Sequence, residues 1–208
     1  IYPMLSKLSA GNNKEKFTES IVKSVNFVIL LLIPISVGAM VLCTPIVKLL
    51  FERGAFDASA TKMTASALFF YAIGIIGFGL RDILSRVFYS IQDTKTPMIN
   101  GAIAMILNII LNIILVKYMK HSGLALATSI SSIICIILLF ISLSKKIGYF
   151  GQDKIISVLI KSVISALFMG VGTKFSYNFI NSLMGTSFIE QAISLGSSIV
   201  VGIAIYFI

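Results

Sequence analysis

Residues 25–47, VNFVILLLIPISVGAMVLCTPIV, form an uninterrupted run of 23 residues without a charged side chain. A helix rises about 1.5 Å per residue, so this run reaches about 35 Å, slightly more than the hydrocarbon thickness of a bilayer. It is therefore predicted to cross a membrane. Pro34 and Pro45 lie inside it, and each removes a backbone donor that lipid cannot replace, so we expect kinks that neighbouring helices support.

Five further apolar stretches follow this one. The fifth span of the six is the least regular, because only 12 uncharged residues separate Lys161 from Lys174. Those residues rise about 18 Å, and lysine side chains that reach outward extend the span toward bilayer thickness. The further stretches are 63 to about 90, 97–116, 122–144, 155 to about 180, and 188 to the end of the chain.

The composition agrees with this pattern. Hydrophobic residues make up 57% of the chain and charged residues 12%, and the mean hydropathy is +1.00. Soluble domains do not have such values, so a soluble enzyme is excluded. The sequence predicts an all-α polytopic membrane protein with six transmembrane helices.

The net charge of +9 does not indicate nucleic-acid binding, because the lysines flank the apolar stretches. Lysine and arginine are enriched in the cytoplasmic loops of membrane proteins. Assigned to alternate sides of the membrane, they divide ten to six, with ten on the side of the chain's start. This bias predicts that both ends of the chain face the cytoplasm.

The predicted organisation has four parts. Residues 1–24 form a cytoplasmic linker, residues 25–144 form four helices, residues 145–154 form a cytoplasmic loop, and residues 155–208 form two accessory helices. The chain starts with Ile1 rather than Met and stops inside an apolar run, so we expect it to be a fragment of a longer protein, with its start missing and its end clipped.

No arrangement of residues typical of catalysis is found in the sequence. The one histidine, His121, lies beside Lys120 in a predicted loop, whereas a metal site needs several ligands. Cys43 and Cys135 both lie in apolar stretches and are interpreted as packing residues. An enzyme, a cofactor and a bound metal other than Na⁺ are therefore not predicted.

Local signals predict how the helices start and pack. Asp57 follows the Gly54 turn as a helix N-cap, and Thr96-Pro97 predicts an N-cap followed by the first helical residue. The glycines of GIIGFG allow a close helix crossing in lipid, and the serines of the fourth span have a similar role. These residues are Gly74, Gly77, Gly79, Ser129, Ser131 and Ser132.

Two polar clusters lie within the spans. The first is Arg81, Asp82 and Arg86, in which Asp82 and Arg86 are four apart and so share a helix face. Ionisable groups are costly in a membrane and often functional. The cluster is interpreted either as an internally paired stack or as the lining of a cavity or gate for a charged substrate.

The second cluster is Asn108 and Asn112 in the third span, with Thr128 in the fourth. In an antiparallel hairpin, Thr128 is predicted to lie level with Asn112. Amide and hydroxyl oxygens are ligands that suit Na⁺. The alternative interpretation is an interhelical hydrogen bond, which is common in membrane bundles.

Two linkers carry a family resemblance. LLFERGAFD at residues 49–57 follows the first span, and FYS at residues 88–90 followed by DTKTP at residues 93–97 joins the second to the third. Together they resemble the MurJ/MviN family of lipid II flippases, within the larger multidrug/oligosaccharidyl-lipid/polysaccharide exporter superfamily. The resemblance implies helices nine to fourteen of a fourteen-helix transporter with two lobes around a central cavity.

The resemblance also implies a function. The expected substrate is lipid II, the undecaprenyl-pyrophosphate-linked disaccharide-pentapeptide, moved by alternating access from the inner to the outer leaflet of the bacterial inner membrane. It implies an Na⁺ site at Asn108, Asn112 and Thr128. Asn112 stands where a carboxylate can occur, so an acidic ligand from another helix is expected. It further implies a groove for the lipid tail along the last two helices, with Lys161 and Lys174.

Other functions stay open at this point. Within the superfamily, the chain could export another polyprenyl-linked oligosaccharide or exchange a drug for a cation. From a different class, it could be a membrane-embedded enzyme of cell-wall assembly. Such an enzyme needs paired acids or histidines at the outer interface, and this sequence does not provide them.

Overall fold

The computed structural model describes residues 14–184 and 187–207, and in this part of the chain all regular structure is helical. Six of the helices, all except α2, are long and apolar enough to cross a membrane. The predicted fold class is therefore confirmed. The helices are α1 (Lys14–Val41), α2 (Cys43–Phe51), α3 (Ala58–Ser90), α4 (Lys95–Met119), α5 (His121–Ile147), α6 (Gln152–Leu183) and α7 (Phe188–Phe207).

The first predicted span is divided in two. The helix passes through Pro34 without interruption but breaks at Leu42, and a shorter helix, α2, continues from Cys43. Pro45 has no N–H to donate to the carbonyl four residues earlier, Val41, which is where α1 ends. Pro45 was expected to kink a single helix, and instead it separates α1 from α2.

Residues 14–24 are helical, which corrects the predicted linker. Phe17, Ile21 and Val22 are buried, because the first turns of α1 pack into the core and continue the apolar span without a break. Residues 1–13 of the same predicted linker lie outside the described residues. The predicted loop at 145–154 is also shorter, since α5 continues to Ile147 and α6 begins at Gln152.

The helices run alternately up and down. We call the two ends of the bundle the Lys14 end, where α1, α4 and α6 begin, and the His121 end, where α3, α5 and α7 begin. α1 packs on both α3 and α6, α5 packs on both α3 and α4, and α7 packs mainly on α6. The largest buried side chains cluster toward the Lys14 end, and they include Ile21, Leu84, Phe88, Leu139 and Leu143.

The outer surface of the bundle is apolar. Large side chains such as Phe168, Val171 and Phe175 are about three-quarters exposed. Water would not tolerate a surface of this kind over whole helices, whereas lipid tails are as apolar as the side chains themselves. The exposed faces are therefore lipid-facing surfaces or contacts with further protein.

Small residues bring α3 and α5 together, which confirms the predicted close crossing and identifies its partner helix. A Cβ atom on Gly74 would lie 2.9 Å from the Cα atom of Ser129, and one on Gly77 would lie 3.0 Å from the Cβ atom of Ser132. Ser129 also donates a hydrogen bond to the carbonyl of Phe70 across the same contact. The two backbones are so close that only glycine fits at positions 74 and 77 without displacement.

The predicted helix caps have different outcomes. Asp57 is the N-cap of α3, and its Oδ1 atom accepts a hydrogen bond from the backbone N–H of Ala60 at 2.8 Å. The Thr96-Pro97 cap is wrong, because α4 already begins at Lys95. There the carboxylate of Asp93 accepts a hydrogen bond from the backbone N–H of Thr96 at 3.0 Å. A carboxylate satisfies an unpaired helix donor as well as a hydroxyl does, and Asp93 lies three residues upstream of that donor.

Candidate functional site

The α4–α5 hairpin brings together the second predicted polar cluster. Asn108 donates from Nδ2 to Thr128 Oγ1 at 3.4 Å, and Asn112 donates from Nδ2 to Asn108 Oδ1 at 3.0 Å. The Thr128 hydroxyl donates in turn to the carbonyl of Leu124 at 2.9 Å. These four groups form one chain of hydrogen bonds between the two helices.

The predicted level of Thr128 is off by about half a turn, and Thr128 bonds Asn108 rather than Asn112. Lys120 alone joins α4 to α5, and Gly123 packs directly on the backbone of Leu115. This contact centres the hairpin near residue 119. Thr128 therefore falls between the two asparagines instead of opposite the second.

One oxygen of this cluster has no partner. Asn112 Oδ1 is buried and accepts no hydrogen bond from any residue that the structure describes. A buried carbonyl oxygen without a partner costs about 1–3 kcal/mol. The interhelical hydrogen bond alone therefore does not account for Asn112, and its free oxygen points to a further ligand, either a cation or a donor from outside the described residues.

The first predicted cluster forms its expected pair but lies on the surface. Arg86 Nη2 is 2.9 Å from Asp82 Oδ2, and both side chains are about half exposed. Arg81 is exposed as well, and its Cζ atom lies 6.0 Å from the centre of the Phe78 ring. The three charges form an exposed polar strip toward the Lys14 end of α3.

A third cluster was missed by the sequence reasoning. Lys146 Nζ lies 2.6 Å from Asp93 Oδ2, and the Asp93 side chain is only 8% exposed. Thr96 adds a hydrogen bond from its hydroxyl to the same carboxylate at 2.6 Å. This pair joins the α3–α4 loop to the last turn of α5.

These contacts set the charge state of Asp93. The hydrogen bond from Lys146, followed by those from Thr96, holds the pKa of the Asp93 carboxyl well below its ordinary range. The capping part of this cluster could have been found, because an aspartate just before a predicted helix start is a typical capping residue. Nothing in the sequence relates position 93 to position 146.

The two residues predicted to line a lipid-tail groove, Lys161 and Lys174, lie in different places in the structure. An apolar groove of about 460 Å³ does run between α1, α6 and α7, but α6 lines it with Met169 and Thr173. Lys161 lies on the exposed surface of α6. Lys174 lines a different cleft, beside the α1–α2 break.

Other possible chemistry is limited in the described residues. Within 14–184 and 187–207, no group of three or more His, Cys, Asp or Glu side chains could hold a metal ion. His121 Nε2 lies 3.1 Å from the carbonyl oxygen of Met63, so it connects the start of α5 to α3.

Comparison with known proteins identifies relatives over nearly the whole chain. Residues 1–202 match the family profile described as lipid II flippase MurJ. A probable lipid II flippase MurJ of Vibrio cholerae is 30% identical over 206 residues, which is 99% of this chain and 39% of that protein. The lipid II flippase MurJ of Thermosipho africanus is 36% identical over 139 residues, covering 67% of this chain and 29% of that protein.

A solved structure gives the same result. A lipid II flippase MurJ in an inward closed conformation superposes with a TM-score of 0.76 at 30% sequence identity, covering 98% of this chain and 40% of that one. The chain thus spans about two fifths of the length of such relatives.

Proposed function

This chain belongs to the MurJ family of lipid II flippases, and on that basis we propose that the full-length protein moves lipid II from the inner to the outer leaflet of a bacterial inner membrane. It makes and breaks no covalent bond. The match over residues 1–202 carries this proposal. Alternating access is the expected mechanism, in which one lobe moves against another around a central binding site.

The apolar groove supports this proposal. It lies where α1 and α7 both pack on α6 but hardly on each other, and its lining includes Pro34, Gly38, Gly202 and Ile203. Proline and glycine leave little side chain on that surface. A flippase must keep a long polyprenyl chain in an apolar environment while the polar headgroup crosses, and a groove of this kind provides one.

A bound Na⁺ is proposed at the Asn108, Asn112 and Thr128 cluster. Its oxygens come from two helices, and Asn112 Oδ1 lacks a partner within the described residues. Oxygen ligands suit hard cations, and Na⁺ would supply charge compensation and a coupling ion. The cluster contains no carboxylate, so we expect an acidic ligand from outside this chain segment.

The proposed orientation follows from charge. Lys145, Lys146 and Lys154 lie at the Lys14 end, together with the ion pair to Asp93. The positive-inside rule places this end in the cytoplasm. The His121 end then faces the outer side, with both ends of the chain cytoplasmic.

The test uses the full-length protein in a bacterium depleted of its own flippase. Lipid II that has reached the outer leaflet is scored by its accessibility to an added enzyme that cleaves it outside the cell. Restored accessibility supports the proposed function. A correctly inserted protein that restores none would contradict lipid II as the substrate and favour another polyprenyl-linked glycan.

A further inference from the structure

A second cleft lies beside the break between α1 and α2. Its volume is about 560 Å³, and α2, α3 and α6 contribute to its walls. Two lysines line it, Lys48 from α2 and Lys174 from α6, together with Cys43, Tyr177 and Asn178. None of the features described above gives this cleft a role.

The charge in this cleft is uncompensated. No carboxylate lines it, and neither lysine forms an ion pair within residues 14–184 and 187–207. Glu52 follows Lys48 by one helical turn but lies outside this cleft, because it lines a neighbouring cleft with Lys48 and Arg53 and accepts a hydrogen bond from Thr61 at 2.7 Å. Both lysine side chains are exposed, and an anion that enters the cleft would be attracted by both ammonium groups at once.

The depth of Lys174 indicates where such an anion comes from. α6 has 32 residues and so rises about 48 Å, longer than the hydrocarbon core is thick. Lys174 lies about 10 Å from the middle of α6, counted at 1.5 Å per residue. From that depth the side chain reaches the headgroup region on the His121 side. The anions held at that level of a membrane are lipid phosphates.

We propose that Lys48 and Lys174 bind the diphosphate of a polyprenyl-linked lipid on the outer side of the membrane. A diphosphate diester carries two ionised oxygens, one for each lysine, whereas the phosphodiester of a glycerophospholipid carries one. Tyr177 and Asn178 supply neutral hydrogen-bond donors on the same wall. Leu42 lines both this cleft and the apolar groove, so the two are neighbours.

This inference rests on the proposed function and adds a position that the substrate occupies after crossing. Such a site would hold the product at the exit after it has left the central cavity. Lysine suits that role, since it attracts phosphate as a point charge without the two-pronged geometry of arginine. Binding there is therefore expected to be moderate and reversible.

Cys43 provides a reporter inside the cleft. Its thiol is partly exposed, whereas Cys135 is buried, so a maleimide is expected to modify Cys43 much faster. The experiment measures the alkylation rate of the Cys43 peptide by mass spectrometry, using the full-length protein in lipid nanodiscs. The probe is farnesyl diphosphate at about ten times its Kd, which leaves about one site in eleven free and slows alkylation about tenfold.

Variants assign this protection to the lysines. K48Q together with K174Q is expected to remove the protection, while K48R together with K174R keeps most of it. K62Q is the matched control, because Lys62 is exposed at the same end of the bundle and does not line the cleft. Undiminished protection in the double glutamine variant would overturn the proposal.

Further probes separate the possible ligands. Equal protection by phosphatidylglycerol would overturn the preference for a diphosphate, and equal protection by inorganic diphosphate would overturn the assignment to a lipid. Flipping without protection at Cys43 overturns this inference and leaves the proposed function intact. Protection without flipping contradicts the proposed function but supports a diphosphate in the cleft.

Discussion

Asp93 joins three parts of the fold through one carboxylate. It caps α4 through Thr96, pairs with Lys146 on α5, and lies at the end of α3. D93A removes the cap and the ion pair together. We expect it to lower the free energy of unfolding by about 1–2 kcal/mol, since Lys146 is partly solvated and regains water when its partner is lost.

Thermal unfolding followed by circular dichroism in detergent measures this loss. D82N is the control, because the Asp82–Arg86 pair is exposed on both sides and exposed pairs contribute little. An equal loss of stability in both variants would contradict the structural importance of Asp93.

The ion pair also predicts a pH dependence. The pKa of Asp93 is lowered in the folded state from its ordinary value of 3.8, so the folded protein favours the ionised carboxylate. The resulting stability is fully present above pH 3.8 and is lost as the pH falls below it. Compared with D93N, the parent should lose more stability between neutral pH and about pH 3. Parallel curves of unfolding temperature against pH would show that Asp93 does not contribute.

Asn112 is predicted to control the response to sodium. N112L removes the unpaired buried oxygen and the hydrogen bond to Asn108, so Na⁺ should no longer stimulate flipping. The measurement is lipid II accessibility at several external Na⁺ concentrations. N100L is the control, because Asn100 lies on the same helix and donates to Ser142 instead. Unchanged sodium stimulation in N112L would leave the cluster as a structural hydrogen bond.

The contact between α3 and α5 depends on glycine at positions 74 and 77. G74A places a methyl group 2.9 Å from the Cα atom of Ser129, so the helices must separate, at a cost of about 1–3 kcal/mol. G101A is the matched change on α4, where nothing lies within 4 Å, and it should be neutral or slightly stabilising. Unfolding temperatures of the two variants test this, and similar values would contradict the close packing.

The elements also show what sequence could and could not predict. Apolar runs and the GIIGFG glycines were sufficient for six spans and for a close crossing at α3, because length and side-chain size act locally, but they did not identify α5 as the partner helix. The break at Leu42 could not be predicted in the same way. Pro34 and Pro45 both lack an N–H, and only the packing of the neighbouring helices determines which of them ends a helix. The Asp93–Lys146 pair, 53 positions apart, depends on how α3, α4 and α5 pack, and no spacing rule contains that information.

For the whole molecule, the exposed strip on α3 is predicted to matter for transport. Arg81 and Asp82 lie on an exposed face of this segment. About three fifths of the length of the relatives lies outside the matched segment, so in the full-length protein this face can contact further parts of the protein or the substrate. R81A and D82A should therefore reduce lipid II flipping more than K62A, whose side chain lies at the first turns of α3. The accessibility assay measures all three, and equal activity would make the strip a structural feature only.

Of the polar sites in the whole molecule, the sequence indicated one and missed another. The three residues of the Asn108 cluster were found from their spacing, since a short loop between two spans forces an antiparallel pair. The two-lysine cleft was not, because it depends on the α1–α2 break and on helices far apart in sequence that bring Lys48 and Lys174 to the same cleft. Clefts between distant elements depend on the tertiary packing.

The single-residue connection at Lys120 has a consequence for how the protein is made. A link this short has almost no loop-closure entropy to lose, so α4 and α5 can pair as soon as both have been synthesised. The Asn108–Thr128 hydrogen bond lies within that pair. We therefore expect the two helices to enter the bilayer together from the insertion machinery, with their amide groups already shielded from lipid before the other helices arrive.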